Sequence, residues 1–143
     1  MLTVELITPD RVVYEGPADA VSLPTPDGEI TVLPHHIPLI SLVAPGMIVV
    51  RKAGEEQIFA VSRGVIEVDG MHLRLLVDTA DRAEELEEAA VERAKAAAEK
   101  LMSEKRRDAE GFAEATAVLE KELAKLRVVR RHRGRARMPK AGE

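Results

Sequence analysis

Val65-Ile-Glu-Val-Asp-Gly-Met-His-Leu-Arg-Leu-Leu-Val77 runs straight into Asp78-Thr-Ala-Asp-Arg-Ala-Glu-Glu-Leu-Glu-Glu-Ala-Ala90, and the two halves have different characters. In the first half, two apolar runs flank Asp69-Gly70. An Asp-Gly pair between such runs is the strongest short-range signal for a β-hairpin. The second half is Ala, Glu, Leu and Arg without a turn former. From residue 81 onward there is no proline until Pro139, and Gly111 is the sole glycine before Gly134. The chain therefore reads as a small β-domain followed by a helical arm. Such a pairing suits gripping partners and moving between positions, and offers no obvious place for a reaction.

Upstream of the hairpin the strand pattern continues. Leu2, Val4 and Leu6 alternate with Thr3 and Glu5, giving one buried and one wet face. Val12–Tyr14 is a second run, ended by Gly16-Pro17. Ala20–Leu23 is a third, closed by Pro24 and Pro26. Glu29–Leu33 follows the turn at Asp27-Gly28. Pro34, Pro38 and Pro45-Gly46 punctuate the next stretch, which reads as loop and short edge strand. Met47–Lys52 and Gln57–Ser62 flank a turn centred on Gly54. Short strands at this spacing, with no helical stretch between them, predict an antiparallel sandwich or barrel.

Downstream, Asp81 with Glu84 has the spacing of a capping box. Ala83, Leu86, Ala90, Ala94, Ala97 and Leu101 then recur at steps of three and four, which is one helix face. Asp108 has the chemistry of a second N-cap. Phe112, Ala115, Leu119, Leu123 and Leu126 continue at the same spacing, so the two helices predict an antiparallel hairpin. Its seam is mostly alanine on one side. A buried Leu or Val contributes roughly 1.5–3 kcal/mol and alanine far less. A hairpin held by a few kcal/mol is one that a competing surface can invert.

At 143 residues the chain has room for one domain and an appendage. The division expected is a β-domain over 1–80, a helical arm over 81–131 and a disordered basic tail over 132–143. Absence of cysteine excludes a disulfide framework or a thiolate zinc site. No stretch approaches the ~20 apolar residues that span a bilayer. Met1 leads directly into a strand pattern rather than a leader, so a cytoplasmic, soluble protein is expected. Charge is unevenly spread. Residues 1–80 hold 5 Lys/Arg against 11 Asp/Glu, a net of −6, whereas residues 127–143 hold 7 against 1, a net of +6. The C-terminus is thus a basic patch on an acidic protein.

Few side chains point to chemistry. His35-His36 sits between prolines, and adjacent side chains diverge in an extended chain, so an exposed loop explains it better than a metal site. Ser22, Ser41 and Ser62 lack a nucleophile elbow, and no Gly-rich phosphate loop is present. Glu84, Glu85, Glu87 and Glu88 read as a solvated face. The basic patch comprises Arg127, Arg130, Arg131, Arg133, Arg135, Arg137 and Lys140. A solvated tail, a nucleic acid or membrane, and an acidic protein surface are all open to it. With one Tyr, two Phe and no Trp there is no base-stacking platform, which favours the acidic protein surface.

Gly28-Glu-Ile-Thr-Val-Leu-Pro-His-His-Ile-Pro-Leu-Ile40, then Leu42 and Pro45-Gly46-Met47, resembles the ε subunit of the F-type ATP synthase. Ser62-Arg-Gly-Val-Ile-Glu-Val68 is similar to that family's glycine-containing strand junction, and Asp78-Thr79-Ala80 and Leu126-Arg127-Val128 to its helical landmarks. The resemblance covers the whole chain, although the helical part alone would match many coiled coils. It implies an N-terminal β-sandwich of ten strands followed by a C-terminal antiparallel two-helix hairpin. It implies no active site and no cofactor. It places the sandwich against the γ subunit and the c ring of the central stalk, peripheral to the cytoplasmic face of the inner (plasma) membrane, with no nucleic-acid partner. The helices fold down on the sandwich or extend beside γ into the α/β catalytic head, where the extended form inhibits ATP hydrolysis. On these grounds Glu29 and His36 are expected to meet the rotor ring and γ. Arg127, Arg131, Arg133 and Arg135 are expected to reach an acidic segment of the β subunits.

One departure from the family pattern concerns nucleotide. Some bacterial members bind ATP at the folded hairpin through Ile/Leu-Asp-x-x-Arg-Ala. The corresponding stretch here is Leu86-Glu87-Glu88-Ala89-Ala90-Val91, with Glu87 for the Asp and Ala90 for the Arg. A cation on the second helix is replaced by Glu114, while Lys121 remains in register. A polyanion site that exchanges Arg for Ala and Glu loses its main attraction. Read from the residues alone, two further classes stand beside the stalk subunit: a general protein–protein adaptor, and a small nucleic-acid-binding β-barrel with a basic tail.

Overall fold

The computed structural model describes residues 1–105 and 108–136, with side chains to residue 132. Ten strands come first: β1 (Leu2–Ile7), β2 (Val12–Ala18), β3 (Ala20–Thr25), β4 (Gly28–Val32), β5 (His36–Val43), β6 (Gly46–Lys52), β7 (Glu55–Val61), β8 (Gly64–Gly70), β9 (His72–Val77) and β10 (Ala80–Arg82). A single 3-10 turn, Ala83–Glu85, leads to α1 (Glu88–Glu104) and α2 (Ala109–Ala136). The strands form two five-stranded sheets, ordered β2-β1-β9-β8-β5 and β10-β7-β6-β3-β4. Side chains from both inner faces close one core around Leu2, Val4, Leu23, Ile48, Phe59, Ile66 and Leu75. The architecture is the sandwich followed by two helices that the resemblance implied. One pairing departs from antiparallel order, because β1 lies parallel to β9.

Prolines end fewer strands than expected. β2 continues through Gly16 and Pro17 because it is the edge strand of the first sheet, where a missing N–H costs no ladder bond. β3 continues through Pro24 to Thr25, since β6 pairs with it only over Ala20–Ser22. β5 accommodates Pro38 on the opposite edge of the first sheet, with an irregular register between His36 and Leu39. In the β8–β9 hairpin Asp69 pairs with His72, so the loop is Gly70-Met71, one residue beyond the expected turn. The turn at Gly54 has φ of 52° at Ala53 and 79° at Gly54. Positive φ at both central residues matches the right-handed twist of flanking strands.

The capping box at Asp81 does not form. Asp81 pairs with Ala60 as part of β10, and α1 begins only at Glu88, with no side-chain cap on its first turn. Backbone pairing with β7 holds residues 80–82 more firmly than one capping bond would. Arg82 adds to this anchor. Its guanidinium donates to the Val13 carbonyl at 2.7 Å and lies 5.4 Å from the Phe59 ring centroid. Tyr14 stands edge-on to Phe59, and burial raises its pKa, with Arg82 acting in the opposite direction.

The expected alanine seam is displaced by about one residue. Val91 and Ala98 are the buried residues of α1, while Ala90, Ala97 and Leu101 are exposed. Ala83 and Leu86 precede the helix altogether and pack against the second sheet. On α2, Ala115 and Leu126 face inward as expected, joined by Ala124, Val128 and Val129, whereas Phe112 is exposed. α2 lies over β6 and β7, with Val128 packed on Val49, Ile58 and Ala60. Asp108 directly precedes α2, and the Phe112 N–H donates to its carbonyl. The helix runs past residue 131 to Ala136, where a disordered tail had been expected to begin at 132. Arg137 and Lys140 lie outside the described residues.

Candidate functional surfaces

The two outer faces of the sandwich differ. The second sheet is covered by α2 over β6 and β7. On the first sheet, strand register aligns Leu42, Val65, Leu76, Ile7 and Val12 in one row across β5, β8, β9, β1 and β2. All but the partly covered Ile7 are exposed, and Ile40 and Ile37 extend the patch along β5 at 77% and 75% exposure. A row of large aliphatic side chains left open to water marks an interaction surface. The flanking row, Glu67, Arg74 and Glu5, is charged, and Arg74 Nε donates to Glu5 Oε2 at 3.0 Å.

Glu29 and His36 stand on different sheets. Glu29 is exposed on the edge strand β4, opposite Pro24, and His36 begins the edge strand β5. The segment joining them turns sharply at His35, whose φ of 67° is unusual for a side-chain-bearing residue. The His35 N–H donates to Gly70, and His36 Nδ1 lies 2.7 Å from the Ile37 carbonyl. Both histidines are held by backbone geometry at a sheet corner. The serines are likewise occupied. Ser22 accepts from Arg51 and bonds Thr31, Ser62 accepts from the Thr79 N–H, and Ser41 donates to the Leu42 carbonyl.

The motif-like positions Glu87 and Ala90 do come together with α2. They line a hollow of about 340 Å³ with Glu85, Leu86, Val91, Ala94, Glu122 and Lys125. Glu114 is not among these, so the expected substitution at that position is not what shapes the hollow. Among the described residues three carboxylates face it, and Lys125 is its one cation. Lys121 lies 4.0 Å from Glu122, at the outer limit of an ion pair. Sequence reasoning missed Glu122 and Lys125 because the helix register that buries them follows from the displaced seam. Of the basic patch, Arg127 is exposed, Arg130 pairs with Glu88 and Glu92 of α1, and Arg131 lies 3.7 Å from Glu56 of β7. Arg133 and Arg135 fall on the last turns of α2, beyond the described side chains.

A triphosphate needs convergent cations, and this hollow opposes it with three acidic side chains. The chain is expected to bind Mg-ATP with a Kd above about 1 mM, weaker than about 4 kcal/mol. Titration calorimetry on the isolated protein checks this, and saturable micromolar binding would contradict it.

A family model described as "ATP synthase, Delta/Epsilon chain, beta-sandwich domain" matches residues 1–83. An ATP synthase epsilon chain of Chloroflexus aggregans is 39% identical over 91% of this chain and 93% of its own length. The chain belongs to the ATP synthase epsilon-chain family. An epsilon chain of Alkalilimnicola ehrlichii is 35% identical over 95% of this chain and 97% of its own. Members are stalk subunits rather than enzymes. Among solved structures, a chain of the Euglena gracilis mitochondrial ATP synthase (OSCP/F1/c-ring) superposes with a TM-score of 0.73. Its identity is 21%, covering 86% of this chain and 78% of that one, so the likeness is one of fold. The family model ends at residue 83, immediately after β10 and Arg82, the last structural anchor of the sandwich.

Proposed function

We propose that the chain is a non-catalytic subunit of the ATP synthase central stalk whose hairpin restrains ATP hydrolysis. The observation that carries this reading is the apolar row on the first sheet, opposite the face taken by α2. One side of the sandwich is free to grip a partner while the other stores the arm. The partner proposed for the row is the γ subunit, with the c ring meeting the Glu29 and His36 edges. No described helix is long and apolar enough to cross a membrane, which fits a peripheral position, here assigned to the cytoplasmic face. Leaving the second sheet would break the Arg131–Glu56 contact and let the helix that carries Arg127, Arg131, Arg133 and Arg135 reach an acidic surface of the catalytic head.

The sandwich is proposed to fold as an independent unit. Its fragment should end after Glu87 rather than at residue 80, because a cut at 80 removes Arg82 and the β10 pairing with Phe59 and Ala60. Complexes assembled with residues 1–87 are expected to hydrolyse ATP severalfold faster than those with the full chain, with coupling to ion movement retained. Hydrolysis rates at several ATP concentrations test this. Equal rates with and without the helices would sink the restraining role, and failure of the folded fragment to join γ and the c ring would sink the stalk assignment.

A further inference from the structure

The hairpin meets the sandwich through one apolar patch, where Ala83, Leu86 and Met47 join Val49, Ile58 and Ala60. Val128 is the α2 member of the cluster on Val49, Ile58 and Ala60. Among the described residues, three ion pairs around it cross from α2 to the sandwich. Arg63 donates to both oxygens of Glu120 at 2.8 and 3.0 Å, Arg131 lies 3.7 Å from Glu56, and Lys125 lies 3.6 Å from Asp81 of β10. These are not equivalent. The Arg63 and Arg131 side chains are 65% and 39% exposed, where water and salt screen an ion pair to a small net effect. The Lys125 side chain is 18% exposed. It also lies 3.5 Å from Glu122, whose side chain is 7% exposed. A carboxylate so far removed from water demands a counter-charge.

We propose that Lys125 is a latch: it neutralises buried Glu122 on its own helix while reaching Asp81 on β10, so that a charge contact adds to the apolar contact in holding the hairpin down. The consequence for hydrolysis rests on the proposed function above, but the docked position itself is a property of the isolated chain. Two features follow. Undocking separates Lys125 from Asp81 but keeps it with Glu122, since both are on α2, so no charge is stranded by the motion. Loss of Lys125 removes the Asp81 contact and leaves Glu122 only Lys121, at 4.0 Å, so it should disturb the hairpin more than loss of an exposed arginine.

The absence of native cysteine lets two labels be placed without background. Nitroxides on Asp27→Cys, in the exposed β3–β4 turn, and on Ala117→Cys, on the exposed side of α2, report the sheet-to-helix distance by pulsed electron resonance. The wild-type chain should give one narrow distance. Lys125→Met should raise the population outside it at least tenfold, while Lys125→Arg should keep it. Asp81→Asn should release the hairpin as well, because it removes the docking partner while leaving Lys125 beside Glu122. An unchanged distribution in Lys125→Met overturns the latch. So does a hairpin that Asp81→Asn leaves docked, since Lys125 would then act by packing or on Glu122 alone. A wild-type chain already spread over many distances also overturns it. None of these outcomes affects the stalk assignment, which is read by assembly with γ and the c ring.

Discussion

Gly64→Ala is expected to cost the sandwich about 3 kcal/mol or more, at the upper end of overpacking effects. Gly64 opens β8 and is paired on both sides, with Val43 of β5 and Val77 of β9. A Cβ there would press into the Leu76 carbonyl oxygen and stand 2.7 Å from both Val77 Cα and Val77 Cγ1. Two of the three obstacles are backbone atoms inside a ladder, so neither can swing aside as a side-chain tip would. Relief requires β8 and β9 to separate at the rung where the first sheet is joined to the residues leading into β10. Since small domains are stable by only about 5–15 kcal/mol, one methyl group consumes a large part of the margin. With a urea slope of roughly 1–3 kcal/mol/M, the midpoint should fall by at least about 1 M. A Gly64→Ala protein that melts within 2 °C of wild type (~0.5 kcal/mol on the usual scale) would show that the strands give way more easily than the contacts imply.

Val65→Glu, one residue further on, should have the opposite profile. Its side chain points outward in the middle of the row made by Leu42, Val65, Leu76 and Ile7, so the isolated protein should keep its melting temperature within a few degrees. Binding to γ should fall at least ~100-fold, or roughly 2.7 kcal/mol. The magnitude follows from placing an unpaired carboxylate at the centre of an apolar contact, where truncations and desolvated charges weigh most. Equilibrium binding to purified γ, together with thermal melting of both proteins, separates the two effects. Unchanged affinity would mean that the partner sits on another face. Adjacent positions thus give a direct comparison, with Gly64 governing the fold and Val65 the partner.

What the sequence revealed and concealed follows from the range of the forces involved. Strand-forming runs and the Gly70 and Gly54 turns are local in origin and were legible as alternation and turn chemistry. Residues 80–82 were misread because Asp81 and Glu84 carry a local capping signal that a long-range ladder with β7 overrides. Pro17 and Pro24 were misread as terminators because edge position and strand overlap, which excuse a missing N–H, are properties of the assembled sheet. The helix seam shows the same limit. Alanine spacing favours the Ala90 and Ala97 face, yet the larger Val91 is what α1 buries. That rotation also brings Glu122 and Lys125 to the hollow, so the candidate latch had no sequence signal beyond two charges among many. The apolar row was hidden for a further reason: its members come from five strands, and only their register makes them neighbours.

The parallel pairing of β1 with β9 orders events during synthesis. β1 and β2 emerge first and can form a hairpin, and β5 and β8 can meet later, but the two halves of the first sheet share no rung until β9 fills the gap between them. A nascent chain shorter than 77 residues therefore holds two loose ribbons with open edges and half a core. Closing that gap joins segments about 70 residues apart, the kind of non-local step that slows β-rich folding. A protein arrested in mid-translation would expose the apolar edges of β1 and β8 together, which makes incomplete chains of this subunit natural clients for chaperones and proteases.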